Sequence, residues 1–224
     1  MQIKALDKSL IDWPGKISLM IWLGGCNLRC GYCQNPQLVE NTEGLPTISE
    51  EEVFKKLENK KWYDCVVISG GEPTLNQDLP AFMKKIKDEG YATKIQTNGT
   101  NPSVLEHLIF ENLVDAISMD IKWSLEKYDG LKENIQKSIK LLMKSSLEYE
   151  FCTTVVPGII REQEIREICE TIKGTKNYYL QQFQPKGPLL DKDYEKIEPY
   201  TKEELIGFWK IAKPYFEKCE IRGI

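Results

Sequence analysis

The sequence predicts an α/β fold, an incomplete (β/α)6 TIM-like barrel with parallel strands. Three observations predict it. Short apolar, β-branched runs alternate with amphipathic stretches along the chain, the pattern of right-handed βαβ units that build a parallel sheet. Six such units can be traced, too few for a closed eight-stranded barrel. The glycines and polar residues that interrupt the pattern fall at strand ends, where parallel α/β folds gather their chemistry. A doubly wound open sheet is the alternative arrangement of the same units.

The first strand is residues 17–23 (ISLMIWL), a nearly continuous apolar run suited to burial on both faces. A loop follows, and Ser49 with Glu52 forms a capping box for a helix that turns Val53 and Leu57 inward. The second strand is 65–69 (CVVIS). Asp78 then heads a helix burying Leu79, Phe82, Met83 and Ile86. Residues 93–97 form the third strand, and Asn101-Pro102 opens a helix with proline in its first turn. Residues 116–119 are a short fourth strand, followed by a helical stripe of Leu131, Ile135, Ile139 and Leu142. Residues 149–156 are a β-branched fifth strand, closed by Pro157-Gly158 and followed by a helix through Ile165, Ile168 and Ile172. The sixth strand is 178–183. Thr201 and Glu204 box the last helix, which carries Leu205, Phe208, Trp209 and Ala212.

No repeat, low-complexity segment or Pro/Ser linker divides the 224 residues, so 1–224 reads as a single domain. The net charge of −4 and the short charge runs exclude the basic stripe of a nucleic-acid binder. The start, MQIKALDKSLIDWPG, has no long apolar segment, and the densest apolar run, 19–23, is far short of a membrane span. The expectation is a cytoplasmic protein without membrane or nucleic-acid partners. Its cysteines are then reduced, and clustered ones point to metal or catalysis rather than disulfides.

Three of the seven cysteines are clustered: Cys26, Cys30 and Cys33, in GGCNLRCGYCQNP directly after the first strand. Cys65, Cys152, Cys169 and Cys219 are dispersed and read as small buried hydrophobes. Structural zinc wants four ligands, and the sole histidine, His107, lies on a helix, where a solvated role fits it better. Short cysteine loops of this kind hold [4Fe–4S] clusters. Three thiolates would leave one iron with an open position for another ligand. The remaining strand ends carry Gly70-Gly71-Glu72-Pro73, Thr97-Asn98-Gly99, Asp120 with Lys122, Thr153-Thr154, and Gln182 with Gln184. Asp120 and Lys122 are two apart on an extended segment, so both can face the barrel interior. An acid and a lysine there must be paired or ligand-bound. A purely structural ion pair is the plainer alternative.

The C-x3-C-x2-C loop with Tyr32 before its third cysteine, together with GGEP one strand later, resembles the radical S-adenosylmethionine (SAM) superfamily. The match is nearest to the glycyl-radical-enzyme activases. SLIDWPGKISLMIWLGGCNLRCGYCQNP resembles the small activating proteins of anaerobic ribonucleoside-triphosphate reductase, and SMDIK the activases' Asp-x-Lys strand. The resemblance covers essentially the whole chain. It implies a single radical SAM domain in which Cys26, Cys30 and Cys33 hold a [4Fe–4S] cluster and Tyr32, Gly70, Gly71, Glu72, Asn98, Asp120, Lys122, Thr154 and Gln184 surround SAM. Within that analogy Gly70 and Gly71 approach the methionyl ammonium, Glu72 orients it, the backbone of Tyr32 lies near the adenine, and Lys122 suits the carboxylate. The implied reaction is reductive cleavage of SAM and removal of a glycine Cα hydrogen from a partner glycyl radical enzyme, with flavodoxin or ferredoxin as electron donor. Asp12-Trp13-Pro14-Gly15 could help grip the partner's loop, or Trp13 could cap the barrel floor.

There are departures from that pattern. Gln96 stands where some activases have an aspartate beside Thr97, and Gln184 where some have a histidine that can carry a proton. About fifteen residues separate Cys33 from Ser49, with no ferredoxin-like insertion. The rival readings are activation of another glycyl radical enzyme such as pyruvate formate-lyase, a radical SAM enzyme acting on a small molecule like the carboxy-deazaguanine synthases, and a non-catalytic zinc or cluster-binding module.

Overall fold

The computed structural model describes residues 1–58 and 62–224. Its strands are β1 (Ile3–Ser9), β2 (Ser18–Leu23), β3 (Cys65–Gly70), β4 (Ala92–Thr97), β5 (Ala116–Asp120), β6 (Glu148–Val155), β7 (Asn177–Gln182) and β8 (Lys218–Arg222). The helices are α1 (Pro36–Glu40), α2 (Glu50–Leu57), α3 (Leu79–Asp88), α4 (Pro102–Phe110), α5 (Lys132–Lys144), α6 (Glu162–Thr171) and α7 (Lys202–Ala212). All eight strands form one sheet in sequence order. β1 runs antiparallel to β2, and every later neighbour is parallel. β1 and β8 are the free edges, so the barrel is open, as the unit count requires.

The six expected strands appear as β2 to β7, with ends shifted by a residue or so. The sequence reading omitted β1, β8 and the short α1. β1 (IKALDKS) and β8 (KCEIR) are half polar because each is an edge strand, and neither gives the apolar run that marked the others. The boxes at Ser49 and Thr201 are both formed. Asp78 precedes α3 but makes no cap; its carboxylate accepts from the N-terminal ammonium at 3.4 Å. His107 is exposed on α4, as the solvated reading holds.

Alternation along the strands separates two layers. One face carries Ile21, Val66, Ile68, Ile95, Ile117, Phe151 and Leu180 into a core with Phe82, Leu105, Ile139, Ile168 and Leu205 of the helices. The other face lines the barrel interior. At its floor Trp13, only 4% exposed, packs with Met20, Cys65, Val67 and Ala116. Above that plug lies a charged layer. Arg222 makes a two-pronged contact with Glu150 at 3.2 and 2.9 Å, and Lys94 reaches Glu150 at 3.1 Å and the carbonyl of Asp12 at 2.8 Å. Cys65 and Cys152 point into this interior and Cys169 into the helix-side core, all three buried. No helix among the described residues is long and apolar enough to cross a membrane.

Candidate active site

β2 ends at Leu23, and the cysteine loop begins there. Two backbone hydrogen bonds tie its start to the end of β3: Gly71 N donates to Leu23 O at 2.8 Å and Glu72 N to Gly25 O at 2.7 Å. Gly70 has φ of +128°, a conformation L side chains rarely adopt. A methyl group at Gly70 would strike the Leu23 backbone, and one at Gly71 the Gly25 carbonyl. The two glycines therefore let the strand end press against the cysteine loop; the group they approach is this chain's own backbone.

Glu72 is fully buried and accepts four hydrogen bonds. Thr74 N and Thr74 Oγ1 reach Oε1 at 3.1 and 2.6 Å, Thr97 Oγ1 reaches it at 2.7 Å, and Asn98 N reaches Oε2 at 2.7 Å. Burial pushes its carboxyl above the usual range, against the pull of these donors. Its role in this geometry is to bind β3's end to β4's end. Asn98 is engaged in the same way. Its Nδ2 donates to Asn27 Oδ1 at 3.0 Å, while its Oδ1 accepts from Thr100 N and Oγ1 at 3.0 and 2.7 Å. Asn27 Nδ2 in turn reaches Thr100 Oγ1 at 2.9 Å. The cysteine loop is thus fastened to β3 and β4 through Gly25 and Asn27.

The opposite wall comes from β5 and β6. Lys122 Nζ meets Asp120 Oδ2 at 2.7 Å, and the Lys122 backbone N–H donates to Tyr128 Oη at 2.7 Å. Burial opposes the charge on Lys122. Asp120 and the Tyr32 and Cys30 groups nearby outweigh it and hold the ammonium well above the usual range. Lys122 and Asp120 both act electrostatically on Cys30, so the pair faces the cysteine loop. Tyr32 is 6% exposed and lies among Leu28, Cys30, Val156, Phe183 and Leu189; its hydroxyl is buried without a hydrogen-bond partner among the described residues. Thr154 is half-buried one strand over, opposite Gln181 in β7. Gln184 sits just past β7, where its carbonyl accepts from Gln34 Nε2 at 2.9 Å and its Nε2 donates to Gly223 O at 3.2 Å.

The donor set fits a [4Fe–4S] cluster. Cys26, Cys30 and Cys33 lie on one loop within electrostatic reach of one another, and burial raises the Cys26 and Cys30 thiols above their ordinary value. Among the described residues no three of His, Cys, Asp and Glu converge closely enough to hold a single metal ion. A tetrahedral zinc needs all its ligands at about 2.0–2.3 Å from one centre. A cubane takes its thiolates on separate irons and accepts a wider spread. Arg29, within the same loop, folds back so that its guanidinium donates to the carbonyls of Cys26 at 2.6 Å and Leu28 at 3.0 Å.

Of the two places expected for the Asp12-Trp13-Pro14-Gly15 segment, the structure takes the barrel floor. There Trp13 Nε1 donates to Glu148 Oε1 at 3.1 Å, so the segment cannot grip a substrate at the mouth. Gln96 Nε2 donates to Asp12 Oδ1 at 2.9 Å and belongs to that floor network. Sequence reasoning also missed Asn27, Thr74, Thr100 and Tyr128, together with the segment after Gln184, residues 185–197, that covers the cysteine loop. Thr74 and Thr100 bond groups only two residues away, but the contacts of Asn27, Tyr128 and the late segment join positions from 6 to more than 150 residues apart, beyond the reach of a local pattern.

Comparison with known proteins agrees with this geometry. The radical SAM superfamily matches residues 20–174. A candidate glycyl-radical enzyme activating enzyme of Methanocaldococcus jannaschii is 38% identical, over 98% of this chain and 94% of the relative. The pyruvate formate-lyase-activating enzyme of Clostridium pasteurianum is 28% identical over 93% of this chain and 92% of its own. Among solved structures, QueE from Escherichia coli shares the fold with a TM-score of 0.59 at 16% identity, covering 99% of this chain and 93% of that one. An open parallel barrel, a three-cysteine loop at its mouth and a family match over most of the chain lead to one assignment: the chain belongs to the radical SAM superfamily, whose enzymes work with a [4Fe–4S] cluster and SAM.

Proposed function

We propose that this chain activates a glycyl radical enzyme, and that its partner is an anaerobic ribonucleotide reductase. The supporting observation is the likeness to a candidate glycyl-radical enzyme activating enzyme over nearly the whole length of both chains. Cys26, Cys30 and Cys33 are the proposed ligands of three irons. Tyr32, Asp120, Lys122, Thr154 and Gln184 are the proposed cradle for SAM, and Gly70, Gly71, Glu72 and Asn98 shape it from behind. A flavodoxin or ferredoxin is the proposed donor of the electron. The cluster and SAM together supply a carbon radical strong enough to take a hydrogen atom from an unactivated C–H bond.

The residues of this chain position and shield. Lys122, kept charged by Asp120, offers an ammonium to a carboxylate. Glu72 and Asn98 act behind the site: their hydrogen bonds hold Gly25 and Asn27, and with them the loop that bears the thiols. Val156, Phe183 and Leu189 give the cysteine loop an apolar flank that keeps water from it.

The test mixes the anaerobically reconstituted protein with a candidate reductase deuterated at glycine. Deuterium should pass into 5′-deoxyadenosine, and a glycyl doublet should appear by electron paramagnetic resonance. The doublet should vanish when the reductase's radical glycine is changed to alanine. Doublets only with pyruvate formate-lyase would move the partner assignment. Deuterium drawn from a small molecule, with no doublet across the candidates, would sink the activase reading.

A further inference from the structure

The cysteine loop has a second attachment, on the side away from Glu72 and Asn98. After β7 the chain does not enter α7 directly. Residues 184–197 turn back across the barrel mouth and lie along the loop. Leu190 N donates to the Cys33 carbonyl at 3.1 Å and Asp191 N to the Gly31 carbonyl at 2.9 Å. Gln34 Nε2 reaches the Gln184 carbonyl at 2.9 Å. Leu189 is buried in the apolar cluster with Cys30 and Tyr32, and the Tyr194 ring centroid is 6.2 Å from that of Tyr32. These contacts link the backbone on both sides of Tyr32 to a segment more than 150 residues later.

Tyr194 makes the closest approach. A methyl group on Gly31 would run into its ring edge, where Cδ2 would be 2.9 Å and Cζ 3.1 Å away. Gly31 needs no unusual φ, so conformational freedom does not explain a glycine there. The ring does: with no side chain at 31, its edge can seat against the backbone between Cys30 and Tyr32. The 192–196 turn fixes the ring's own backbone, with Tyr194 N donating to Asp191 O at 3.1 Å.

We propose that residues 184–197 form a strap that holds the cysteine loop in ligand geometry before any metal arrives, with Tyr194, seated on Gly31, as the positioning residue. This rests on the reading of Cys26, Cys30 and Cys33 as cluster ligands. Tyr194 does not touch the reacting atoms in this account. It acts through the backbone of residues 30–33, by restricting how far Cys30 and Cys33 can move. The ring carries the effect and the hydroxyl is dispensable, because the contacted atoms are ring carbons.

The test has two arms, both on the full chain. In the cluster-free protein, alkylation of each cysteine by iodoacetamide is timed by mass spectrometry, with Cys65 in the floor core as internal control. Tyr194→Ala should speed Cys30 and Cys33 by about tenfold, as expected for a locally freed segment, and leave Cys65 unchanged. Gly31→Ala, which displaces the ring, should do the same. The pair combined should be no faster than Tyr194→Ala alone, since the two changes break one contact. Tyr194→Phe should match the parent. In the reconstituted protein, Tyr194→Ala should shift the midpoint potential of the cluster and hasten loss of its visible absorption in air, and Tyr194→Phe should do neither. Parental Cys30 and Cys33 rates in both Tyr194→Ala and Gly31→Ala would overturn the strap. So would faster rates that extend equally to Cys65, which would mean global loosening. A parent that binds no iron while Tyr194→Ala still frees Cys30 and Cys33 would keep the strap and remove the cluster assignment.

Discussion

Lys122 and Asp120 show how one residue pair can be read two ways. They form an ion pair at 2.7 Å, which satisfies the structural account. Asp120 is more than a third exposed, though, and Lys122 is not sealed off, so the pair faces an opening and not a closed core. A partly buried pair of this kind gains little net stability unless its remaining hydrogen-bonding capacity is used. Lys122 has three donor protons and Asp120 takes one of them. Lys122→Ala should therefore leave the reconstituted cluster's absorption intact and weaken SAM binding by about 1.5–3 kcal/mol, the worth of a hydrogen bond to a charged group, as read by titration calorimetry. Unchanged affinity with a large loss of folding stability would return the pair to a structural role. Cys26, Cys30 and Cys33 were legible in the sequence because their spacing is local. The positions of Gly70, Gly71, Glu72 and Asn98 at the strand ends were legible too. Their partners were not, because Glu72 meets Thr97 and Asn98 across a helix and a strand, and no spacing rule encodes that contact.

At the level of elements, β8 was the hardest to foresee and is held most unusually. It pairs with β7 alone, and its outer edge is free. Trp209 of α7 donates to the Cys219 carbonyl at 2.7 Å from the helix side. From the interior, Arg222 reaches past β7 to Glu150 of β6, with its guanidinium 3.4 Å from the Tyr179 ring centroid. Burial alone would raise the Glu150 carboxyl. The Arg222 fork and Lys94 outweigh it and hold the carboxyl below the usual carboxylate range. A carboxylate whose folded pKa is lowered stabilises fully above its unfolded pKa, about 4.3 for glutamate, and loses that contribution as pH falls through the folded value. Denaturant unfolding should thus show stability declining below about pH 4.3, with part of that slope absent in Glu150→Gln. An identical slope in the variant would show that Glu150 does not set it. The helices were easier to read than the edge strands. Capping boxes and i, i+4 stripes lie within one element, whereas β1 and β8 are strands only because a neighbour from elsewhere pairs with them.

Across the whole molecule the barrel's two ends are closed by different means. The floor is plugged by the β1–β2 loop, in which Trp13 fills the space between the first residues of the strands and Lys16 Nζ lies 4.4 Å from its ring centroid. The mouth carries the cysteine loop and the segment that lies over it. The apolar and charged layers between them separate stability from chemistry along the barrel axis. Trp13→Ala should cost about 3–5 kcal/mol of folding stability, the usual loss for a buried tryptophan, and leave SAM affinity of the surviving folded protein within about twofold, since distant sites are nearly additive. A selective loss of SAM binding at unchanged stability would place the loop at the mouth after all.

The sheet is laid down in the order in which the chain is made, yet the cysteine loop receives its cover from residues roughly 150 positions downstream. At about 5–20 residues per second of synthesis, Cys33 leaves the ribosome roughly 8–30 s before Leu190 and Asp191 can close on it. Once β3 and β4 have followed, the loop is held on one side only until that segment arrives. Cys26, Cys30 and Cys33 lack their downstream cover throughout that time. The position of residues 184–197 late in the chain therefore means that the loop stands open on the nascent chain and is covered after release.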